Sequence, residues 1–60
     1  MSASAPQRAR ENAGLTLHQA AQRARINASY LRRIERRGSA PYILAVRLAH
    51  LYKCSIHVFI

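Results

Sequence analysis

The chain has 60 residues, below half the usual length of a domain, so it holds one small core and leaves no room for a second domain or for an enzyme's cleft. Ten Lys+Arg stand against two Asp+Glu, and the formal net charge of +8 on so short a chain sets up a field that attracts polyanions. Nine of the ten basic residues are Arg, and eleven of the apolar residues are Ala, so the core must come from the Leu, Ile, Val, Tyr, Phe and Cys side chains of a small helical unit covering residues 1–60. An apolar run of about 18 residues is missing, and Met1 is not followed by the apolar stretch of a signal peptide, which predicts a soluble protein without a membrane partner. The single cysteine, Cys54, has no internal partner, and a secreted miniature of this size would need several bridges; the expected location is therefore a reducing cytoplasm.

Met1 to Ala3 are expected to fray. Ser4-Ala5-Pro6-Gln7 has the S-x-x-Q form of a capping box with Pro inside the first turn, which predicts a first helix over Ala5 to Ala13 stopped by Gly14 in the left-handed conformation. Thr16-Leu17-His18-Gln19 repeats the box as T-x-x-Q and opens a second helix. Its Leu17, Ala20, Ala21 and Ala24 fall at i, i+3, i+4 and i+7, a narrow stripe of small side chains that lets another helix approach closely. Asn27 is the expected cap of a third helix running to about Arg36, with Ile26 stapled onto Leu31. Leu31 and Ile34 share one side of that helix with Tyr30 beside them, and Ala28, Ser29, Arg32, Arg33 and Arg36 fan over the other. Gly38-Ser39-Ala40-Pro41 is a loop, and Ser39 or Ala40 is expected to cap a fourth helix carrying Leu44, Leu48, Leu51 and Tyr52, the main core donor. Ser55 is expected to cap a short fifth helix over Ile56 to Ile60; β-branched and aromatic content would also allow a strand there, and helix is favoured on context.

Two helices joined at Arg25-Ile26-Asn27, the first alanine-faced and the second presenting short and basic residues outward, have the layout of a helix-turn-helix. The physical logic is that the major groove of duplex DNA admits one helix, the phosphates on its rims attract cations, and base edges are reached from the helix's N-terminal turns. Glu35, set among Arg32, Arg33, Arg36 and Arg37, would be repelled by a nearby phosphate unless it turns inward and pairs.

Arg10, the Gly14-Leu15-Thr16 segment, Ala21, Ile26-Asn27, the run Ser29-Tyr30-Leu31-Arg32-Arg33-Ile34-Glu35-Arg36, Pro41, Leu48-Ala49 and Ser55 together resemble the Cro/CI-type (XRE, lambda-repressor-like) helix-turn-helix family over about Arg8 to Phe59. The resemblance implies an all-α fold, a compact five-helix lambda-repressor-like helix-turn-helix domain, whose third helix enters the major groove, usually as a homodimer on a palindromic operator. By the same resemblance, Ala28, Ser29, Arg32 and Arg33 match base-facing positions, and Thr16 and Asn27 match helix N-termini that abut phosphates. Arg10 and Glu35 match a structural ion pair between the first and third helices. The implied function is a sequence-specific regulator of transcription, a repressor, in which Arg36 and Arg37 neutralise phosphates. Ile56, His57, Val58 and Ile60, an apolar segment that a monomer would leave partly exposed, match the segment that commonly forms the dimer contact.

The chain departs from the family pattern in places. Arg25, Arg37 and Lys53 stand where family members commonly place glycine at left-handed stops, at a cost of roughly 1 kcal/mol for each non-glycine residue that adopts that conformation. Gly38 follows Arg37 directly, so the third helix has room to run one residue further. Pro6 replaces a leucine usual in the first helix, and the loop after the third helix lacks a basic residue beyond Arg37. Cys54 stands where relatives place a buried valine and reads as a small core side chain.

His18, His50 and His57 lack ligand-pair spacing and no second cysteine accompanies Cys54, so neither a metal nor another cofactor is expected. Ser29 has no acid and histidine pair or glycine-rich elbow to activate it, so catalysis is not expected, and no small-molecule ligand is inferred. Tyr30 is suited equally to packing and to a phosphate. Two other functional classes fit the same residues: an antitoxin or adaptor of the same fold acting through its apolar C-terminal segment, and a basic amphipathic peptide for membranes or RNA, which would have little helix without its anionic partner.

Overall fold

A computed structural model describes residues 3–60 as four α-helices followed by one 3-10 turn: α1 (Ala5–Asn12), α2 (Leu17–Ala24), α3 (Ala28–Arg37), α4 (Tyr42–Tyr52) and the turn Ile56–Val58. Met1 and Ser2, part of the segment expected to fray, lie outside the described residues. The helices begin and end where short-range chemistry dictates. At α1 the Ser4 hydroxyl accepts from the Gln7 backbone N–H at 3.2 Å, but the Gln7 side chain turns away and donates to Glu11 at 3.3 Å, so only half of the expected box forms. At α2 the box is complete: Thr16 Oγ1 accepts from Gln19 N and Gln19 Oε1 accepts from Thr16 N.

Three helix ends share one backbone device, in which the last residues fold back onto the carbonyls of the final turn. Leu15 N donates to Arg10 O after α1, Ile26 N to Ala21 O after α2, and Cys54 N to Ala49 O after α4. The left-handed residue at these stops is Gly14, Arg25 (φ 61°) and Lys53 (φ 55°), respectively. Arg37, by contrast, stays helical: α3 runs one residue past Arg36 and stops at Gly38 (φ 81°). Glycine is thus used where the sequence places it one residue late, and two basic residues carry the strain elsewhere.

Three expectations are corrected. The first helix ends at Asn12, with Ala13 as its cap. The residue before α4 is Pro41, not Ser39 or Ala40, and no side chain caps that helix. The reason is tertiary: the Ala40 N–H is bound to Phe59 O at 2.9 Å, which ties the α3–α4 loop to the end of the chain. The same tie explains why the fifth helix of the expected five is only a 3-10 turn. Ser55 Oγ accepts from His57 N at 3.2 Å, and Val58 N and Phe59 N donate three residues back to Ser55 O and Ile56 O. Phe59 then leaves the helical path to enter the core, where it is 0 % exposed.

The core is built from the alanine stripe of α2 (Ala20, Ala21, Ala24), Leu31 and Ile34 of α3, Leu44, Ala45, Leu48, Ala49 and Tyr52 of α4, and Phe59. α4 is its largest donor, as expected, although Leu51 is only partly buried. α2 packs on α3 and α4, and α1 on α3 and α4, so α3 is held from behind along its apolar side. Pro6, accommodated in the first turn of α1, is fully buried and contributes to the interior. The Tyr52 and Phe59 rings meet with centroids 5.9 Å apart at 40°, tilted as aromatic pairs prefer.

Candidate nucleic-acid interface

The two faces of α3 differ in chemistry because its apolar residues recur at helical spacing while its arginines fall between them. Leu31, Ile34 and Glu35 are buried, and Ser29, Arg32, Arg33, Arg36 and Arg37 are exposed. These five exposed residues line one open depression along the helix. None of the four arginine side chains donates a hydrogen bond or forms a salt bridge among the described residues, where the one salt bridge is Arg10–Glu35. Four guanidinium groups close together without counter-charge repel one another, and an anion laid along the helix relieves that repulsion.

Glu35 forms no ion pair with these arginines because its carboxylate is claimed by Arg10. Arg10 Nε donates to Glu35 Oε2 at 2.7 Å and Arg10 Nη2 to Oε1 at 3.4 Å, while Arg10 Nη1 donates to Leu15 O at 2.9 Å. The pair is 11 % and 7 % exposed, and the hydrogen bond to Glu35 holds the Arg10 guanidinium above its usual pKa. One side chain therefore ties α1 to α3 and to the α1–α2 turn at Leu15. Removing either partner strands the other charge in a poorly hydrated place and costs roughly 3 kcal/mol.

The remaining residues singled out in the sequence lie outside the five that line this depression. Ala28 is partly buried and packs against the core edge. Thr16 and Asn27 are exposed at the N-termini of α2 and α3 but are not among the residues lining the arginine surface. Asn27 has the extended backbone of a cap, yet its side chain makes no capping bond and is left facing solvent. Tyr30 lies at the edge, 37 % exposed, and joins Arg33, Arg37, Ser39 and Pro41 around a second depression beside the first. At the C-terminus His57 and Ile60 are exposed, whereas Ile56 and Val58 are partly buried against the core. Cys54 is also partly buried there, and burial pushes its thiol pKa up, away from the reactive thiolate.

Residues 7–58 match the family model described as a helix-turn-helix domain. The chain belongs to this helix-turn-helix family. A search of curated proteins and a search of solved structures each returned no match. In the terms of the family, α2 and α3 are the two helices of the motif, Arg25 to Asn27 the turn, and α3 the helix whose outward face is open to a partner; a domain of this kind points to DNA. No helix among the described residues is long and apolar enough to cross a membrane.

Two features of this helix-turn-helix unit were not singled out in the sequence. Arg47, on α4, donates from Nη1 to Ala24 O at 3.0 Å, at the end of α2. Tyr42 and Ile43, at the start of α4, are 68 % and 75 % exposed. An arginine in the middle of the otherwise apolar run Tyr42–Ala49 is a signal for the first; the second had none, because the helical spacing of α4 does not say which of its apolar sides lacks a neighbour.

Proposed function

We propose that the chain is a sequence-specific double-stranded DNA-binding regulator of transcription of the Cro/CI type, acting as a repressor by occupying its operator as a homodimer. The observation that carries this reading is the exposed face of α3, where Ser29 and four unpaired arginines line one surface of the second helix of the motif. Arg32 and Arg33 suit bidentate donation to guanine O6 and N7, Ser29 a base or backbone contact, and Ala28 an apolar contact with a thymine methyl. Arg36 and Arg37 neutralise phosphates, and the N-termini of α2 and α3 at Thr16 and Asn27 face the backbone on either side. The protein acts by occupancy, without catalysis or a cofactor, and its place in the cell is on the nucleoid.

Selection of binding sites from random duplex DNA tests this directly. A repeated half-site with two-fold symmetry is expected, the spacing reporting the dimer. On the selected site Arg33→Ala should cost on the order of 1–3 kcal/mol and relax preference at one base pair, whereas Arg37→Ala should weaken all sequences alike. Equal losses on selected and random duplex for Arg33→Ala would remove its assignment as a reader.

A second reading rests on the exposed apolar side chains. Tyr42, Ile43 and Ile60 are all more than half exposed, and the Ala40–Phe59 backbone bond brings the chain end next to the start of α4. In the first reading this patch extends the dimer face formed by Ile56, His57, Val58 and Ile60; in the second it docks a different protein, as in an antitoxin or adaptor. Partner capture that persists in high salt while DNA binding fades favours the second.

A further inference from the structure

α2 is held at both ends by arginines that belong to other helices. At its start, Arg10 of α1 donates to Leu15 O at 2.9 Å, and at its end Arg47 of α4 donates to Ala24 O at 3.0 Å. The second bond satisfies a carbonyl that the helix stop leaves over. The backbone bonds ending α2 run from Arg25 N to Gln22 O and from Ile26 N to Ala21 O, and Ala24 itself is 0 % exposed. A buried carbonyl without water needs a donor, and a cation at the C-terminal end of a helix also meets the negative end of its dipole. Arg47 supplies both.

The consequence is geometric. Only Arg25, Ile26 and Asn27 separate Ala24 from the first residue of α3, and Arg25 is held in a strained left-handed conformation. Where the Ala24 carbonyl sits therefore sets where α3 begins and how it is angled. Resting on the DNA-reading assignment above, we propose that Arg47 is a positioning residue for sequence reading: from α4 it holds the helix-turn-helix turn, fixes the presentation of α3, and touches neither phosphate nor base. By this assignment, one of the chain's nine arginines lies outside the electrostatic footprint that its charge would suggest.

The test compares wild type, Arg47→Met, Arg47→Lys and Arg37→Ala on the selected duplex and on a random duplex across a salt series, at a temperature where circular dichroism shows every variant folded. Arg47→Met keeps the apolar stem and removes the donors. It should lower affinity for the selected duplex by about tenfold, the scale of losing one base contact. Random-duplex affinity and the slope of log K against log salt should stay at wild-type values, and Arg47→Lys should restore part of the loss. Arg37→Ala should instead lower both affinities and reduce the salt slope by about one. If Arg47→Met behaves like Arg37→Ala, Arg47 is a phosphate contact and the proposal fails; if it changes neither affinity, the bond is merely structural and the proposal fails equally. Failure of the DNA reading itself would show in wild type, as the absence of any preferred sequence. Should Arg47→Met not fold, the wild-type protein carries the test: on adding duplex, the side-chain N–H resonances of Arg33 should move while those of Arg47 hold, and movement of both would overturn the proposal.

Discussion

Arg25 and Lys53 occupy left-handed backbone with a full side chain each, at φ 61° and 55°, where a Cβ crowds the following carbonyl. Arg25→Gly and Lys53→Gly should each stabilise the fold by about 0.5–1 kcal/mol, the relief of strain outweighing glycine's larger entropy in the unfolded chain. Thermal unfolding followed at 222 nm checks this, with each gain raising Tm by roughly 2–8 °C for a domain of this size. Tyr52 carries a different cost. Its ring is packed against Phe59, but its hydroxyl is buried without a hydrogen-bond partner, and burial, with the charge of Glu35 adding to it, pushes its pKa up to about 12. The unfolded tyrosine ionises near pH 10. Stability tied to the neutral phenol is therefore full below about pH 10 and is lost as pH rises from about 10 to 12, at on the order of 1 kcal/mol per pH unit. Tyr52→Phe should fold at least as stably at pH 7 and lose this alkaline slope; urea midpoints for both proteins at a series of pH values from 7 upward decide it. The inward turn of Glu35 was legible in the sequence because an acid on a phosphate-facing side would be repelled, while its partner Arg10 came from the family resemblance. The orphan hydroxyl of Tyr52 was not, since nothing local to Tyr52 states what its ring meets.

Among the helices, the two polar caps expected to start the reading unit behave differently. Thr16 closes a reciprocal box on α2, and Asn27 stands at the cap of α3 with its side chain free. Thr16→Ala should cost about 1 kcal/mol of stability. Asn27→Ala should leave the unfolding midpoint close to wild type yet weaken duplex binding, because its side chain is available to the partner rather than to its own helix. Paired melting and binding measurements separate the two, and a large stability loss for Asn27→Ala would refute the distinction. The complete box at Thr16 and the left-handed stops at Gly14 and Gly38 were readable because each depends on residues within four positions. The last five residues were not: the i→i+3 turn at Ile56–Val58 exists because Phe59 turns inward and its carbonyl is claimed by Ala40, nineteen positions away.

For the molecule as a whole, the field matters more than any one contact. With a formal charge of +8 and four free arginines on one helix, binding to duplex DNA should depend steeply on salt. If about six phosphates are neutralised per binding unit, affinity falls by roughly a thousandfold between about 50 and 200 mM salt. A flat response in a filter or fluorescence titration would contradict the electrostatic argument and favour the apolar patch at Tyr42, Ile43 and Ile60 as the main contact. Circular dichroism in plain buffer gives a second check at this scale, since a packed core of eleven buried apolar residues should keep the chain helical without any anion, unlike a peptide that folds only on binding.

What the amino-acid order determined unaided was the helices, most of their ends and the division of α3 into a greasy and a cationic side, because 3.6-residue periodicity, caps and left-handed stops act over one or two turns. Folding in three dimensions decided the rest: the shortened C-terminal turn, the bare start of α4, the exposure of Tyr42 and Ile43, and the assignment of Arg47 to a carbonyl 23 residues earlier in the chain. Each of these depends on which distant group arrives beside a backbone donor or acceptor, and that is settled only when the helices pack.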